Sequence, residues 1–228
     1  MEISLGAIAE TGAVTSGMIM ITGGIGSGKS VVSRILRLNG YRVYDCDSEA
    51  KRIMENDYKV IAELIKILGE EAYSLDGGST SIRRINRPFI ASRIFGDAEL
   101  RCMVNEVVHQ AVREDVLRFA QENEELVFCE TAIPVTSRMT GMSDAIWLVT
   151  APESERIERV KVRNGLSEEE IIKRIESQRE EFDRLDDSKT IRIENGRDNV
   201  ILPRIYDLLA QSGCNEIIKL LFHPSSGV

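Results

Sequence analysis

Several things are missing from this chain of 228 residues, and each absence narrows what it can be. There is no excess of positive charge: 29 lysines and arginines face 37 aspartates and glutamates, a formal net charge of -8. General nucleic-acid and anionic-membrane binders need a basic footprint, so neither partner is expected, although a small positive pocket is compatible with this balance. The four cysteines, Cys46, Cys102, Cys129 and Cys214, are scattered with no C-x-x-C pair. Neither a zinc site nor a disulfide framework is suggested, and a reducing cytoplasm is the simplest setting. No apolar run approaches the ~18 residues of a membrane span. The first seventeen residues carry Glu2 and Glu10, lack a basic start and hold no long apolar core. They do not resemble a secretory signal and read as a disordered leader or an artefact of start-site choice. Internal repeats and low-complexity tracts are absent as well.

What is present is an ordinary globular composition, 43% hydrophobic and 29% charged, long enough for one sizeable core. Short apolar runs alternate with amphipathic segments, the pattern of a parallel sheet covered by helices. The candidate strands are Met18–Thr22, Arg42–Tyr44, Leu126–Phe128, Ala145–Thr150 and Thr190–Ile193. A helix is expected from Val31 to Leu38, stopped by Asn39-Gly40. Pro88 suits a first helical turn before Phe89–Phe95. Asp97 is placed to cap a long helix with the stripe Leu100, Met103, Val104, Val107, Val108, Ala111 and Val112. Ser167 and Glu170 read as a capping box, with Asn164-Gly165 separating that helix from the one before.

The spacing between strands is uneven. About eighty residues separate the second and third candidates, far more than a single crossover helix needs. They include the turn cluster Leu75–Ser81 and at least three helical segments, and are read as a helical insertion over 54–123 at the carboxyl edge of the sheet, where open α/β sheets bind ligands. The core is then 18–53 with 124–210, and 211–228 is a tail.

One motif carries the chemistry. Gly23, four residues, then Gly28-Lys29-Ser30 completes G-x-x-x-x-G-K-[ST], after an apolar strand and before an apolar-faced helix, the context that confirms it. The loop residues Gly24, Ile25, Gly26, Ser27, Gly28, Lys29, Ser30 and Val31 present backbone N–H groups to phosphates, aided by the positive end of the helix. Lys29 reaches the β- and γ-phosphates and the Ser30 hydroxyl ligates Mg²⁺, so a nucleoside triphosphate with Mg²⁺ is the expected cofactor pair. The GTPase segment N-K-x-D is missing, and a small-molecule kinase fits better.

Asp45 and Asp47 follow the second strand, where a carboxylate can accept the proton of an attacking hydroxyl. Asp47 reads equally as the N-cap of a helix beginning at Ser48, and the two roles are not exclusive. Arg159 and Arg163, four apart on one helix face, either brace phosphates or belong to a surface pair with Glu155. His109 ends a valine stripe and reads as a helix-face residue.

Together these pieces resemble the dephospho-CoA kinase family. The resemblance spans about 18–210 and rests on ITGGIGSGKS, GYRVYDCDSEAKRI, NRPFIASRIFGDAELRCMVNEVVHQAV, VTAPESERIERVKVRNGLSEEEIIKRIESQ and IRIENG. It implies a three-layer P-loop NTPase core with a five-stranded parallel sheet, a helical substrate-binding insertion and a small helical lid near 164–184. It implies transfer of the ATP γ-phosphate to the 3′-hydroxyl of dephospho-CoA, the small-molecule acceptor. Asp47 falls on the family's catalytic base, and Arg159 and Arg163 on its two arginines before the lid. Arg87 and His109 fall on positions that look like substrate contacts, and Asn195-Gly196 lies where the last strand leads to the adenine pocket. The chain departs from the family at His109-Gln110, where His-Pro is usual, so the helix is expected to continue there. It departs again at Glu130–Ser137, where an aliphatic run usually ends in an acidic residue. The competing readings are another P-loop kinase for a nucleotide or small alcohol, and a nucleotide-gated binding protein with little turnover.

Overall fold

The structure, a computed structural model, describes residues 17–75, 83–123 and 125–212. The N-terminal leader up to residue 16, nearly all of the turn cluster after Leu75 and the C-terminal tail beyond residue 212 lie outside the described residues. Along the chain run β1 (Met18–Thr22), α1 (Lys29–Leu38), β2 (Val43–Asp45), α2 (Cys46–Asn56), α3 (Tyr58–Leu68), β3 (Tyr73–Leu75) and β4 (Arg83–Ile85). Then come α4 (Arg87–Ile94), α5 (Ala98–Gln121), β5 (Val127–Glu130), β6 (Ala145–Thr150) and α6 (Glu153–Asn164). The last elements are α7 (Glu168–Ser177), α8 (Arg179–Asp183), β7 (Thr190–Glu194) and α9 (Ile201–Gln211). The chain divides into two compact units, Asp45–Arg118 and the remainder.

Five strands form one sheet in the order β2-β5-β1-β6-β7. Strand β1 runs parallel to both β5 and β6, and β6 runs parallel to β7. All five residues of β1 are buried, as a central parallel strand covered on both faces requires. Its Ile19 and Ile21 join one core cluster with Val32 and Leu36 of α1 and Ile205, Leu208 and Leu209 of α9. Phe128 and Trp147 meet in that cluster with ring centroids 5.3 Å apart. The chain leaves β1 for α1 and β2 on one side, while β6 flanks β1 on the other. The loop after β1 therefore opens at a topological switch point, where such sheets bind ligands.

The five expected strands appear within two residues of their expected bounds. Helix α1 ends at Asn39 with Gly40 at φ 87°, and Gly165 closes α6 in the left-handed region. The Ser167/Glu170 capping box is formed, and Ser167 holds the Glu170 carboxyl below its usual range.

The unit Asp45–Arg118 is mainly helical. Asp57 caps α3, Asn86 caps α4 with Pro88 in its first turn, and the Asp97 carboxylate accepts from the Leu100 N–H at the start of α5. Val104, Val108, Val112 and Val116 bury one stripe of α5, but Met103 is 48% exposed and stands outside it. The helix passes through His109-Gln110 without a break, as glutamine in place of proline allows. The unit also holds an antiparallel pair, β3 with β4, which sequence reading did not anticipate. Three-residue strands are too short to display a two-residue alternation.

Candidate nucleotide-binding and phosphoryl-transfer site

The loop from Gly23 to Gly28 joins β1 to α1, and two of its glycines are there for steric reasons. Gly26 has φ 78°, and a Cβ on it would lie 2.6 Å from the Arg156 carbonyl oxygen. Gly28 has φ 102°, and its Cβ would lie 2.0 Å from Asn195 Nδ2. Both the left-handed backbone and the close approach exclude a side chain. Gly28 is also the N-cap of α1, and no side chain caps that helix, which leaves the positive end of its dipole to an anion. The Ser27 hydroxyl is 1% exposed and has no hydrogen-bond partner. An uncapped helix, a glycine cradle and a buried orphan hydroxyl together suit an anion such as phosphate. Lys29 Nζ donates to the Gly23 carbonyl at 2.5 Å, folded back across the loop, and Ser30 is exposed in the first turn of α1.

The loop is held from outside at Ile25, Gly26 and Ser27. At its tip, the Ile25 N–H donates to Gln178 Oε1 at 2.8 Å and the Ile25 carbonyl accepts from Arg156 Nε at 2.9 Å. The Ile25 side chain packs on Val160, Ile171 and Ile175 of α6 and α7. Further along, Asn195 Nδ2 donates to the Ser27 carbonyl at 2.8 Å, while the Asn195 N–H donates to the Thr150 carbonyl at 2.7 Å. Burial pulls the Arg156 guanidinium below its ordinary pKa, and Glu153 partly opposes this.

Arg159 forms the surface pair that its sequence spacing offered and also reaches the phosphate loop. It pairs with Glu155 at 2.9 Å, and it also donates to the Asn195 carbonyl at 2.7 Å and the Gly26 carbonyl at 3.3 Å. Arg163, one turn later, is exposed, and its Nε donates to Asn164 Oδ1 at 2.8 Å. Gly196 lines a cavity of about 320 Å³ with Thr150, Pro152, Glu155 and Asn199, at the carboxyl ends of β6 and β7. That volume lies in the small-molecule range.

Asp47, Arg87 and His109 belong to the other unit. The structure removes the capping reading of Asp47: α2 begins at Cys46, and Asp45 caps it, accepting from the Asp47 and Ser48 N–H groups at 3.1 Å each. Asp47 is exposed in the first turn. Arg87 pairs with Glu55 at 2.7 Å, and His109 sits half-buried on α5. Two loop braces escaped sequence reading. Arg156 lies three residues before Arg159 on the same helix face, a spacing that signals it. Gln178 has no local signal, because its partner is 153 residues away.

A family model described as dephospho-CoA kinase matches residues 17–199. The chain belongs to the dephospho-CoA kinase family. A dephospho-CoA kinase of Bacteroides fragilis is 34% identical over 194 residues, 84% of this chain and 91% of that protein. One from Porphyromonas gingivalis is 39% identical over 164 residues, covering 72% and 78% of the two chains. A crystal structure from Thermus thermophilus superimposes with a TM-score of 0.65 at 32% identity, over 86% of this chain and 95% of that one. The dephospho-CoA kinase of Campylobacter jejuni shares the fold, with a TM-score of 0.59 at 17% identity over 85% of this chain and 96% of that one. For a member of this kinase family, the braced loop is the expected nucleotide site.

Proposed function

We propose that this kinase transfers the γ-phosphoryl group of ATP to the 3′-hydroxyl of dephospho-CoA, giving CoA and ADP in the cytoplasm. The observation that supports this most is the phosphate loop, pinned by Gln178, Arg156, Arg159 and Asn195 in a chain matched by the family over residues 17–199. Such a loop needs no rearrangement to receive the phosphates, and phosphoryl transfer depends mainly on positioning and charge.

In this reading the triphosphate lies in the loop from Gly24 to Val31, and Lys29 moves from the Gly23 carbonyl to the β- and γ-phosphates. Ser30 would hold the magnesium ion that accompanies the nucleotide and that, when bound, neutralises phosphate charge. Among the described residues, no three His, Cys, Asp or Glu side chains cluster as a metal site. That accords with an ion held chiefly by phosphates and one hydroxyl. The base occupies the cavity beside Gly196. Arg159 and Arg163 face the charge that develops during transfer, and Asp47 takes the proton of the 3′-hydroxyl. Arg87 and His109 contact the acceptor. The segment 164–184, hinged at Gly165, is the lid, and in the position described Gln178 within it holds the Ile25 N–H of the phosphate loop.

The test is ADP release with ATP, Mg²⁺ and dephospho-CoA, run beside AMP, CMP, shikimate and pantothenate. Turnover with dephospho-CoA alone, with CoA identified by mass, is the expected result. Turnover only with another acceptor would keep the phosphate-loop chemistry and sink the substrate assignment.

A further inference from the structure

The short helix α8 makes two long-range attachments, and only the one to the phosphate loop enters the reaction as described. At its N-terminal boundary, Gln178 Oε1 accepts the Ile25 N–H of the phosphate loop at 2.8 Å. One turn on, the Glu181 carboxylate, 9% exposed, accepts the Val135 N–H at 2.8 Å and the Thr136 N–H at 3.1 Å, and also binds the Thr136 hydroxyl. Among the described residues no lysine or arginine pairs with Glu181, so this carboxylate is buried against two backbone N–H groups and a hydroxyl rather than against a cation. Burying a carboxylate in that way is costly unless its hydrogen bonds are well made.

The two attachments hold different parts of the sheet's carboxyl edge. Ile25 is the tip of the loop after β1. Val135 and Thr136 belong to the loop after β5, the strand beside β1. That second loop is a single helical turn, with the Ser137 N–H donating to the Ile133 carbonyl and the Met139 N–H to the Pro134 carbonyl, both at 3.0 Å. It ends at Arg138, the non-glycine residue at positive φ, 54°. A turn that begins at a proline has orphan N–H groups just after it, and Glu181 satisfies two of them from another element, as a capping side chain would. The bonds offset the cost of holding Arg138 in the left-handed region.

We infer that α8 is a strut coupling the two loops, with Gln178 and Glu181 as positioning residues, so that nucleotide held on the loop after β1 orders the loop after β5. The inference deepens the kinase reading, because it assigns communication between the nucleotide site and the neighbouring loop. A ligand that stiffens the first loop fixes Gln178, which fixes α8, which holds the Glu181 carboxylate against Val135 and Thr136.

ADP is the probe, because any P-loop kinase of this kind binds it and dephospho-CoA need not be present. Its dissociation constant is measured by calorimetry for the parent, Gln178→Leu and Glu181→Gln, after thermal melts show that each folds cooperatively. Hydrogen exchange at 133–139 is then followed with and without ADP. In the parent, ADP slows exchange at Val135 and Thr136. Gln178→Leu weakens ADP binding about five- to tenfold, the scale of one lost neutral hydrogen bond, and abolishes the slowing at those two sites. Glu181→Gln speeds exchange there with or without ADP. Binding of ADP by Gln178→Leu within twofold of the parent would overturn the inference. So would ADP-dependent slowing at Val135 and Thr136 that survives that substitution, or its absence in the parent. A parent that bound ADP but turned over no dephospho-CoA would sink the substrate assignment and leave the strut standing.

Discussion

Replacing Arg159 by methionine separates bracing from catalysis at the residue where the two are most entangled. Methionine keeps the apolar stem and removes the guanidinium, so three contacts are lost together. The Glu155 pair, with side chains 34% and 16% exposed, contributes at most about 1 kcal/mol. The bond to the Asn195 carbonyl at 2.7 Å is charge-assisted, of a kind worth roughly 1.5–3 kcal/mol when buried, and partial exposure takes it to the lower end. The contact to the Gly26 carbonyl at 3.3 Å is long and adds little. The sum is about 2 kcal/mol, which for a domain of this size lowers Tm by roughly 4–8 °C.

If the guanidinium also meets the transferring phosphoryl group, kcat falls by about 10³-fold or more, equivalent to about 4 kcal/mol of transition-state stabilisation. The kinetic loss then exceeds the stability loss. The assay is coupled ADP release at saturating ATP and dephospho-CoA, beside thermal melts of the same preparations. Glu155→Gln is the control: it breaks the ion pair but leaves the arginine on the Asn195 and Gly26 carbonyls, and should keep kcat within about tenfold. A drop in kcat of less than tenfold for Arg159→Met, alongside the expected Tm loss, would refute a catalytic role and leave a brace.

Arg163 offers the same test without the entanglement: it donates to the neighbouring Asn164 side chain, so Arg163→Ala should leave Tm within about 2 °C while kcat falls ~10²-fold or more; unchanged turnover would remove it from the reaction. Because Asp45 and not Asp47 caps α2, Asp47→Asn should cut kcat at least ~10²-fold with ADP affinity and Tm retained, whereas Asp45→Ala should cost about 1 kcal/mol, seen as a lower Tm. A destabilised Asp47→Asn would contradict that division. The Tyr73 hydroxyl donates to the Met54 carbonyl at 2.7 Å, and burial, reinforced by Glu55 and opposed by Arg87, raises its pKa to about 12. Below pH ~10 the tyrosine is neutral in both states and its contribution is complete; from there to about 12 only the unfolded chain ionises, and stability is lost. Urea melts between pH 9 and 11.5 should therefore show a shallower alkaline decline in Tyr73→Phe than in the parent, and equal slopes would contradict the shift.

What the sequence disclosed and what it hid divide along contact range. The strand β1, the glycine loop, the Asn39-Gly40 and Gly165 stops and the Ser167/Glu170 box are local patterns, and each is present. Asp47 was ambiguous because a cap and a base share one local signature. Only the backbone shows that the helix begins two residues earlier, at Cys46 rather than Ser48. Arg159 was ambiguous for a different reason: the i,i+4 pair with Glu155 is legible, but the Asn195 carbonyl lies 36 residues away in sequence. Gln178 and Glu181 were invisible because polar residues in a charged helical run look like a solvated face until their distant acceptors and donors are placed.

The distant contacts also explain why this loop can exist before any ligand arrives. Fixing the flexible backbone at Gly26 and Gly28 costs entropy, and the unbonded Ser27 hydroxyl buried between them is unfavourable on its own. An isolated glycine loop would relax, and a nucleotide would have to restore its shape at the expense of affinity. Here Asn195 from β7, Arg156 and Arg159 from α6 and Gln178 beside α8 hold the carbonyls and the one N–H that point away from the cradle. The N–H groups that point into it are left for phosphate. Asn195, Arg156 and Gln178 thus hold the loop from the side away from the chemistry while fixing the geometry on which it depends, so substitutions among these three should appear first as weaker nucleotide binding and only secondarily as slower transfer.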